Sequence, residues 1–345
     1  MTLVASGASV LTATPARPVS RAEGRVVAPA SRVDVSVLVP AKDEAENLPL
    51  FIEQAAAALA GQEARYEVIV IDDGSRDETA AILERLAAEH AWLRPVRHRV
   101  QRGIADALRT GYLNARGDIL VFYPADLQFK PEDIPRLTAP ILAGEADMVT
   151  GFKQGKYEKQ FVSSIYNRLS RALFDLPVRD LNSVKAYSRA IMDALPVRPD
   201  WHRYMIAIAV AEGFTVTEIP VPLYPRHAGR SKFGIGRIPV GVLDMLSVWF
   251  ELRFGRKPLL LFGLLGAGLM LLAFLTGLVA VGVRFIAGVG FRPLLDLVII
   301  SFITGVVLFV GGILGEMIAV QRAELRELRR RLDDLHSITA DDSGG

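Results

Sequence analysis

The chain contains no cysteine. That excludes disulfides, a thiolate nucleophile and any cysteine-ligated metal, and it leaves the redox compartment open. An excess of charge is also missing: 40 Lys and Arg stand against 38 Asp and Glu, a formal net charge of +2. Without a basic surplus, no nucleic acid partner is expected. Residues 1–32 have no charged opening segment and no periodic apolar face, and Pro15, Pro18 and Pro29 interrupt any helix. A mobile N-terminal tail is expected there, and a signal peptide is not. Two long stretches further on lack charge altogether, 258–283 and 297–315. Everything between the tail and these stretches reads as soluble α/β.

Val33–Val39, Tyr66–Ile71, Leu93–Arg99, Asp118–Tyr123 and Ala146–Phe152 have the pattern of strands. Glu44–Ala60, Asp77–Glu89, Gly103–Ala115 and Pro131–Ala143 have that of helices. Such alternation predicts an α/β fold, a mostly parallel sheet covered by helices on both faces. The apolar run from Ile119 to Tyr123 suits a strand buried on both sides. Pro40 is expected to end the first strand.

The most informative stretch is Val68–Thr79, VIVIDDGSRDET. Asp72 and Asp73 stand where a strand ends, and open α/β sheets bind ligands just outside such ends. The same residues also suit a plain strand–turn–helix corner with Asp77 as N-cap. Two other strand ends carry polar groups: Ala41–Glu44 (AKDE) after the first strand, and Pro124–Gln128 (PADLQ) after the fourth. Parallel strands would bring all three to one edge of the sheet. Carboxylates and an amide oxygen gathered there suit a nucleotide diphosphate with Mg²⁺ or Mn²⁺. These hard cations prefer oxygen ligands, few of them from protein and the rest from phosphate and water.

These motifs resemble family 2 glycosyltransferases of the GT-A fold. Val37–Leu48 (VLVPAKDEAENL) is similar to the family's opening segment, Ile71–Thr79 (IDDGSRDET) to its second motif, and Gly103–Gly111 to its glycine-led helix. Asp126 and Gln128 resemble its metal-binding D-x-D region, although Pro124 stands where an acid is usual and Asp43 where Asn is common. Asp180–Tyr187 (DLNSVKAY), His202–Tyr204 and Pro225–Gly234 (PRHAGRSKFG) resemble the subgroup that loads a hexose onto polyprenyl or dolichyl phosphate. The resemblance implies that Pro40, Lys42, Asp43, Glu44, Asp72, Asp73, Gly103 and Asp126 bind the nucleotide sugar. Asp73 is the stronger candidate for a donor ligand, and Asp72 supports the turn and the ribose side. Asp126 and Gln128 hold Mg²⁺ or Mn²⁺ and, with Arg226 and Lys232, form the catalytic group.

The implied reaction is the inverting transfer of glucose or mannose from a nucleotide-diphosphate sugar to a polyprenyl phosphate. A phosphate monoester has a second pKa near ~6, so it is largely dianionic at neutral pH and needs little help from a base. Guanidinium groups grip such a headgroup bidentately. Arg168, Arg179 and Arg203, with the hydroxyl of Ser183, are the candidates for the lipid phosphate. Arg226, Arg230 and Lys232 lie in a glycine-flexible stretch that is expected to close over the diphosphate. His202 and His227 read as structural hydrogen-bonding residues or general acids, and His90 and His98 as surface residues. Two alternatives stay open, transfer to another lipid such as diacylglycerol, and a non-catalytic membrane partner that binds nucleotide sugar.

Residues 33–236 form the expected catalytic domain. Residues 237–257 are expected to lie in the membrane interface as an amphipathic helix, with apolar residues recurring at three and four. Residues 258–320 follow as a transmembrane hairpin with spans at 258–283 and 294–318, each near the ~20 residues a span requires. Gly263, Ala267, Gly311 and Gly315 allow close helix packing and hint at a homo-oligomer. Arg253, Arg256 and Lys257 precede the hairpin, and Arg322, Arg326, Arg329, Arg330 and Arg331 follow it. The connecting segment has Arg284 and Arg292. This asymmetry predicts an integral membrane protein with the catalytic domain, both termini and the charged tail 321–345 in the cytoplasm.

Overall fold

The computed structural model describes residues 33–155, 168, 170, 171, 173, 174, 176–195, 201–228, 238–255, 257–288, 290 and 292–342. The expectations for the tail 1–32 and for Arg230, Lys232 and Arg256 lie outside them.

In chain order the elements are β1 (Val35–Ala41), α1 (Leu48–Leu59), β2 (Tyr66–Asp72), α2 (Thr79–Glu89), β3 (Leu93–Arg97), α3 (Ile104–Asn114) and β4 (Ile119–Phe122). A 3₁₀ turn then leads into α4 (Ile134–Leu142), followed by β5 (Met148–Gln154), β6 (Lys185–Ser188), α5 (Arg189–Ala194), α6 (Met205–Ala211) and β7 (Val216–Pro222). Three longer helices close the chain: α7 (Ile238–Phe254), α8 (Pro258–Ala287) and α9 (Arg292–Asp342).

The strands form one seven-stranded sheet in the order β3-β2-β1-β4-β6-β5-β7. β6 runs antiparallel to both neighbours and the other pairings are parallel. The sheet is therefore mostly parallel, as the alternation predicts. Side chains alternate across it. Val35, Val37, Val39, Val68, Val70 and Val121 meet Phe51 and Ile52 of α1 on one face. Leu38, Ile69, Ile71 and Leu120 meet Leu108 of α3 and Ile206 of α6 on the other. Burying each such side chain contributes about 1.5–3 kcal/mol, which fixes the register of the central strands.

Pro40 does not end β1; the strand continues to Ala41, with Pro40 opposite Ile71. Pairing with β4 stops at Leu38, so on that side the missing amide hydrogen of Pro40 breaks no ladder. From β1 the chain winds outward to β2 and β3, then returns to place β4 on the other side of β1. The order reverses between β1 and β4, the place where open α/β sheets carry a ligand crevice beyond the carboxyl ends of their strands.

One face of α7 packs on the domain. Met245 and Val248 are buried against Tyr204 and Ile208, while Leu243 and Leu246 point outward, 64% and 44% exposed. α8 and α9 are each long and apolar enough to cross a membrane: Pro258–Ile286 has 29 residues and Arg292–Leu325 has 34, with 18-residue stretches of mean hydropathy 2.4 and 2.7. α9 continues without a break through the charged stretch to Asp342. Near the domain end of the hairpin, Leu259 N donates to Glu316 Oε2 at 3.3 Å and Arg322 pairs with Glu251 of α7 at 3.6 Å.

The two helices cross at glycines. A Cβ on Gly266 would lie 2.6 Å from Gly305 O and 2.7 Å from Phe309 N. One on Gly305 would lie 2.8 Å from Gly266 O. Gly312 meets Gly263, Gly315 meets Pro258, and Gly311 faces open space. Most of this small-residue stripe is thus used within the chain. Gly266→Leu is expected to force the helices apart, at about 1–3 kcal/mol for overpacking. Thermal unfolding of the full chain in detergent checks this, and an unchanged midpoint would refute the close crossing.

Candidate active site

Two loops form the floor of the crevice, 42–47 after β1 and 73–78 after β2. Side chains of one bond amides of the other. Ser75 Oγ accepts from Asp43 N at 2.9 Å, Thr79 Oγ1 from Glu44 N at 2.9 Å and Asp77 Oδ2 from Ala45 N at 3.2 Å. In return Asp43 Oδ1 accepts from Arg76 N at 2.8 Å, and Lys42 Nζ donates to Gly74 O. Glu44 Oε2 accepts from Asn47 Nδ2 at 2.6 Å. Asp43 adopts φ +52°, a left-handed conformation that a short, locally bonded carboxylate tolerates. Gly74 has φ +68°, and a Cβ there would lie 2.8 Å from Gln101 N, because the chain crosses directly over it.

Asp77 is not the N-cap of α2 as expected, since Glu78 holds that position; its Oδ1 instead accepts from Thr79 N, the first residue of the helix, at 3.1 Å. It also ties that end of the helix to the neighbouring loop. The lacing roles of Ser75 and Thr79 escaped the sequence reading. Their signal was the run of short hydroxyl and carboxylate side chains after the turn, which readily bond nearby amides.

The adjacent acids divide their work. Asp72 Oδ1 accepts from Ser75 N at 2.8 Å and so closes the turn, while Oδ2 lies 3.2 Å from Arg97 Nε. Asp73 holds the loop that leads into α3. Its Oδ1 accepts from Arg102 N at 2.8 Å and lies 2.8 Å from His98 Nδ1; its Oδ2 accepts from Gly103 N at 2.8 Å. Gly103 has φ +98°, which lets the amide turn toward the carboxylate. Burial alone would raise the Asp73 pKa, but the Arg102 amide, His98 and the Gly103 amide hold it below the usual value.

His98 was expected at the surface, and that expectation is corrected: it is 6% exposed, with Nε2 2.9 Å from Thr110 Oγ1 of α3. The charged neighbours Arg97 and Arg99 disguised it.

Beyond β4, Asp126 is 8% exposed. Its Oδ2 lies 3.1 Å from Arg226 Nη2, and its Oδ1 accepts from Gln128 N at 3.2 Å. Leu127 between them has φ +58°, a strained conformation for a leucine. Burial raises the Asp126 pKa and the Arg226 guanidinium opposes the rise. Arg226 arrives on the strap 223–228 that follows β7. Tyr224 N donates to Gln128 O at 2.9 Å, Lys130 Nζ sits 4.4 Å above the Tyr224 ring, and Asn47 Nδ2 reaches Ala228 O at 3.4 Å. The strap thus joins the ends of β1 and β4. Among the described residues, no group of three or more His, Cys, Asp or Glu gathers as a metal cage. The site fits Mg²⁺ or Mn²⁺ in another way. One carboxylate already attracts a cation, the Arg226 guanidinium, and an amide side chain lies two residues on. Such ions take few protein oxygens when a diphosphate supplies the others.

The lipid-phosphate candidates are scattered. Arg168 is exposed. Arg179 faces outward to Glu218, with Nε 3.0 Å from Oε1, and its guanidinium lies 4.9 Å from the Phe152 ring centre. Ser183 is buried and Arg203 partly buried, the latter beside His202 in the 3₁₀ turn 201–203.

Known proteins resemble this chain in sequence and fold. Residues 36–189 match the family described as Glycosyl transferase family 2. The chain is 31% identical over 301 residues to the dodecaprenyl-phosphate galacturonate synthase of Rhizobium johnstonii, covering 84% of this chain and 89% of that protein. It is 30% identical over 309 residues to the undecaprenyl-phosphate 4-deoxy-4-formamido-L-arabinose transferase of Shewanella sediminis, covering 85% and 89%. The fold is similar to glucosyl-3-phosphoglycerate synthase from Mycobacterium tuberculosis, solved with Mn²⁺, UDP and phosphoglyceric acid, at TM-score 0.52 and 22% identity over 63% of this chain and 78% of that one. Taken with the crevice and its acidic strand ends, these similarities establish that the chain belongs to glycosyl transferase family 2.

Proposed function

We propose that this glycosyltransferase moves a sugar from a nucleotide-diphosphate donor to a polyprenyl phosphate at the cytoplasmic face of a membrane, with inversion at the anomeric carbon. The observation that carries the reading is the meeting of Asp126 and Arg226 at the end of β4, 3.1 Å apart. A carboxylate for a cation and a guanidinium for a diphosphate share one place, next to the crevice and in a chain that continues into two apolar helices. The relatives above, both named for polyprenyl phosphates and a sugar, support it.

The laced loops after β1 and β2, with Lys42, Asp43, Glu44, Asp72 and Asp73, shape the wall for base and ribose. Mg²⁺ or Mn²⁺ held by Asp126 and Gln128 would supply Lewis-acid stabilisation of the departing diphosphate. Arg226 exchanges Asp126 for that diphosphate as the donor arrives, and Lys232 joins it. Of the candidates for the acceptor phosphate, Arg179 is paired with Glu218, so Arg168 and Arg203 are the proposed grip, and the phosphate oxygen attacks without a dedicated base. Alignment is then the main task of the chain's own residues. The donor sugar widens from glucose or mannose to related pyranoses, since the relatives are named for galacturonate and 4-deoxy-4-formamido-L-arabinose.

The test is an assay of the full chain in detergent with labelled nucleotide sugars, undecaprenyl or dolichyl phosphate and Mg²⁺ or Mn²⁺, read by product mass. If no donor yields a labelled lipid with either ion, the reading fails. Orientation has its own check, helped by the absence of native cysteine. Gly290→Cys, between the spans, is expected to react with a membrane-impermeant maleimide added outside intact cells. Asp342→Cys is expected to react only after lysis. The reverse pattern would place the domain on the other side.

A further inference from the structure

β6 runs against its neighbours, so its first residue, Lys185, lies on the same edge of the sheet as the ends of β1, β2 and β4. It stands opposite Phe122 of β4 and Thr150 of β5 and is 3% exposed. Its ammonium donates to Leu181 O at 3.1 Å and lies 5.8 Å from the centre of the Phe122 ring. Lys153 reaches in from β5, its Nζ 3.3 Å from Asp180 Oδ2 and 2.7 Å from Asn182 O. His202 Nδ1 is buried within reach of the Lys185 charge and has no hydrogen-bond partner among the described residues.

Buried polar atoms are nearly always satisfied, so the orphaned His202 nitrogen calls for an occupant. Burial pushes the Lys185 pKa down to about 8, with Asp180 opposing and Lys153 adding to the push. Lys185 thus remains mostly protonated at pH 7. Burial pushes His202 down to about 3, so its imidazole is neutral there. Lys153 pairs with the Asp180 carboxylate and Lys185 feels its charge, while Arg203 adds positive charge at His202, so the group is short of negative charge. A carboxylate would offset this excess, and the neutral ring of His202 suits a neighbouring sugar hydroxyl. The acceptor phosphate is a dianion, and guanidinium groups suit it better.

We propose that Lys185, with Lys153 and His202, recognises a carboxylate on the transferred sugar, so that the donor is a nucleotide-diphosphate uronate. This rests on the sugar-transfer reading above.

The experiment compares UDP-galacturonate with UDP-galactose on the full chain, in wild type, Lys185→Met and Lys153→Met. Donor binding is measured by titration calorimetry, and transfer to undecaprenyl phosphate by product mass. Wild type is expected to prefer the uronate by about tenfold or more in Kd and in kcat/KM, the size of one charge-assisted hydrogen bond. Either variant should bring that ratio towards one and leave the KM for the acceptor unchanged. A wild-type preference for the neutral sugar overturns the proposal. So does a loss shared equally by both donors, or a rise in acceptor KM with either donor, which would assign the cluster to the phosphate. If Lys185→Met fails to fold, Lys153→Met decides alone. Selective binding without any lipid product would sink the polyprenyl-phosphate reading and leave this one standing.

Discussion

Asp126→Asn is expected to lower kcat by roughly 10²-fold or more, the scale of losing one preorganised charge at a reacting group. The substitution keeps the shape of the side chain and an oxygen that can accept from Gln128 N, so the turn with Leu127 at φ +58° should survive. What disappears is the negative charge. Asp126 is the carboxylate of this strand end, because Pro124 stands two residues before it. In the variant a cation would rely on neutral oxygens and donor phosphates, and Arg226 would lose its partner at 3.1 Å. Steady-state turnover and titration with Mn²⁺ check this together. Unchanged turnover with unchanged Mn²⁺ affinity would remove Asp126 from the proposed metal site.

Asp73→Ala is expected to destabilise the domain by about 3 kcal/mol, because a buried carboxylate that satisfies several donors is removed and they are left unpaired. The amides of Arg102 and Gly103 lose their acceptor at the entrance to α3, and His98 loses its partner. Donor affinity should fall with stability, since the same loop walls the crevice. The effect carries a pH signature. The Asp73 pKa is depressed in the folded chain, so its stabilisation is fully present above the unfolded value, about 3.9, and is lost as pH falls through the folded value. Denaturant unfolding should show the widest gap between wild type and Asp73→Ala near neutral pH, and a narrowing gap below about pH 4. A gap independent of pH would mean that packing, and not the ionised carboxylate, supplies the stability.

Several features were legible in the residues because they depend on local rules. Alternating apolar runs and amphipathic helices specify strand and helix by period alone, and a parallel sheet with helices on both faces follows from their order. The charge-free lengths of α8 and α9 follow from what a helix needs to cross hydrocarbon. Acids at strand ends marked the edge of the sheet where a ligand would sit. Other features depend on partners distant in the chain. β6 and β7 were not foreseen, and β6 is the strand whose reversal brings Lys185 to the site edge. His98 looked like a surface residue because its immediate neighbours are charged, yet its environment is set by Asp73, 25 residues away. The strap carrying Arg226 reaches Asp126 only because β7 lies beside β5 at the far end of the sheet.

The sequence by itself determined the family, the order of elements, the acidic edge and the paired apolar helices. Each is encoded in composition or spacing within a few tens of residues, where period and charge suffice. The tertiary structure decided which acids are committed to holding loops and which one meets a cation. It also decided that glycines on α8 and α9 serve the hairpin's own crossing, and that Lys185 lies buried while Lys153 pairs with Asp180 nearby. Burial and hydrogen-bond pairing depend on chain segments that meet only after folding, so no local pattern could have stated them.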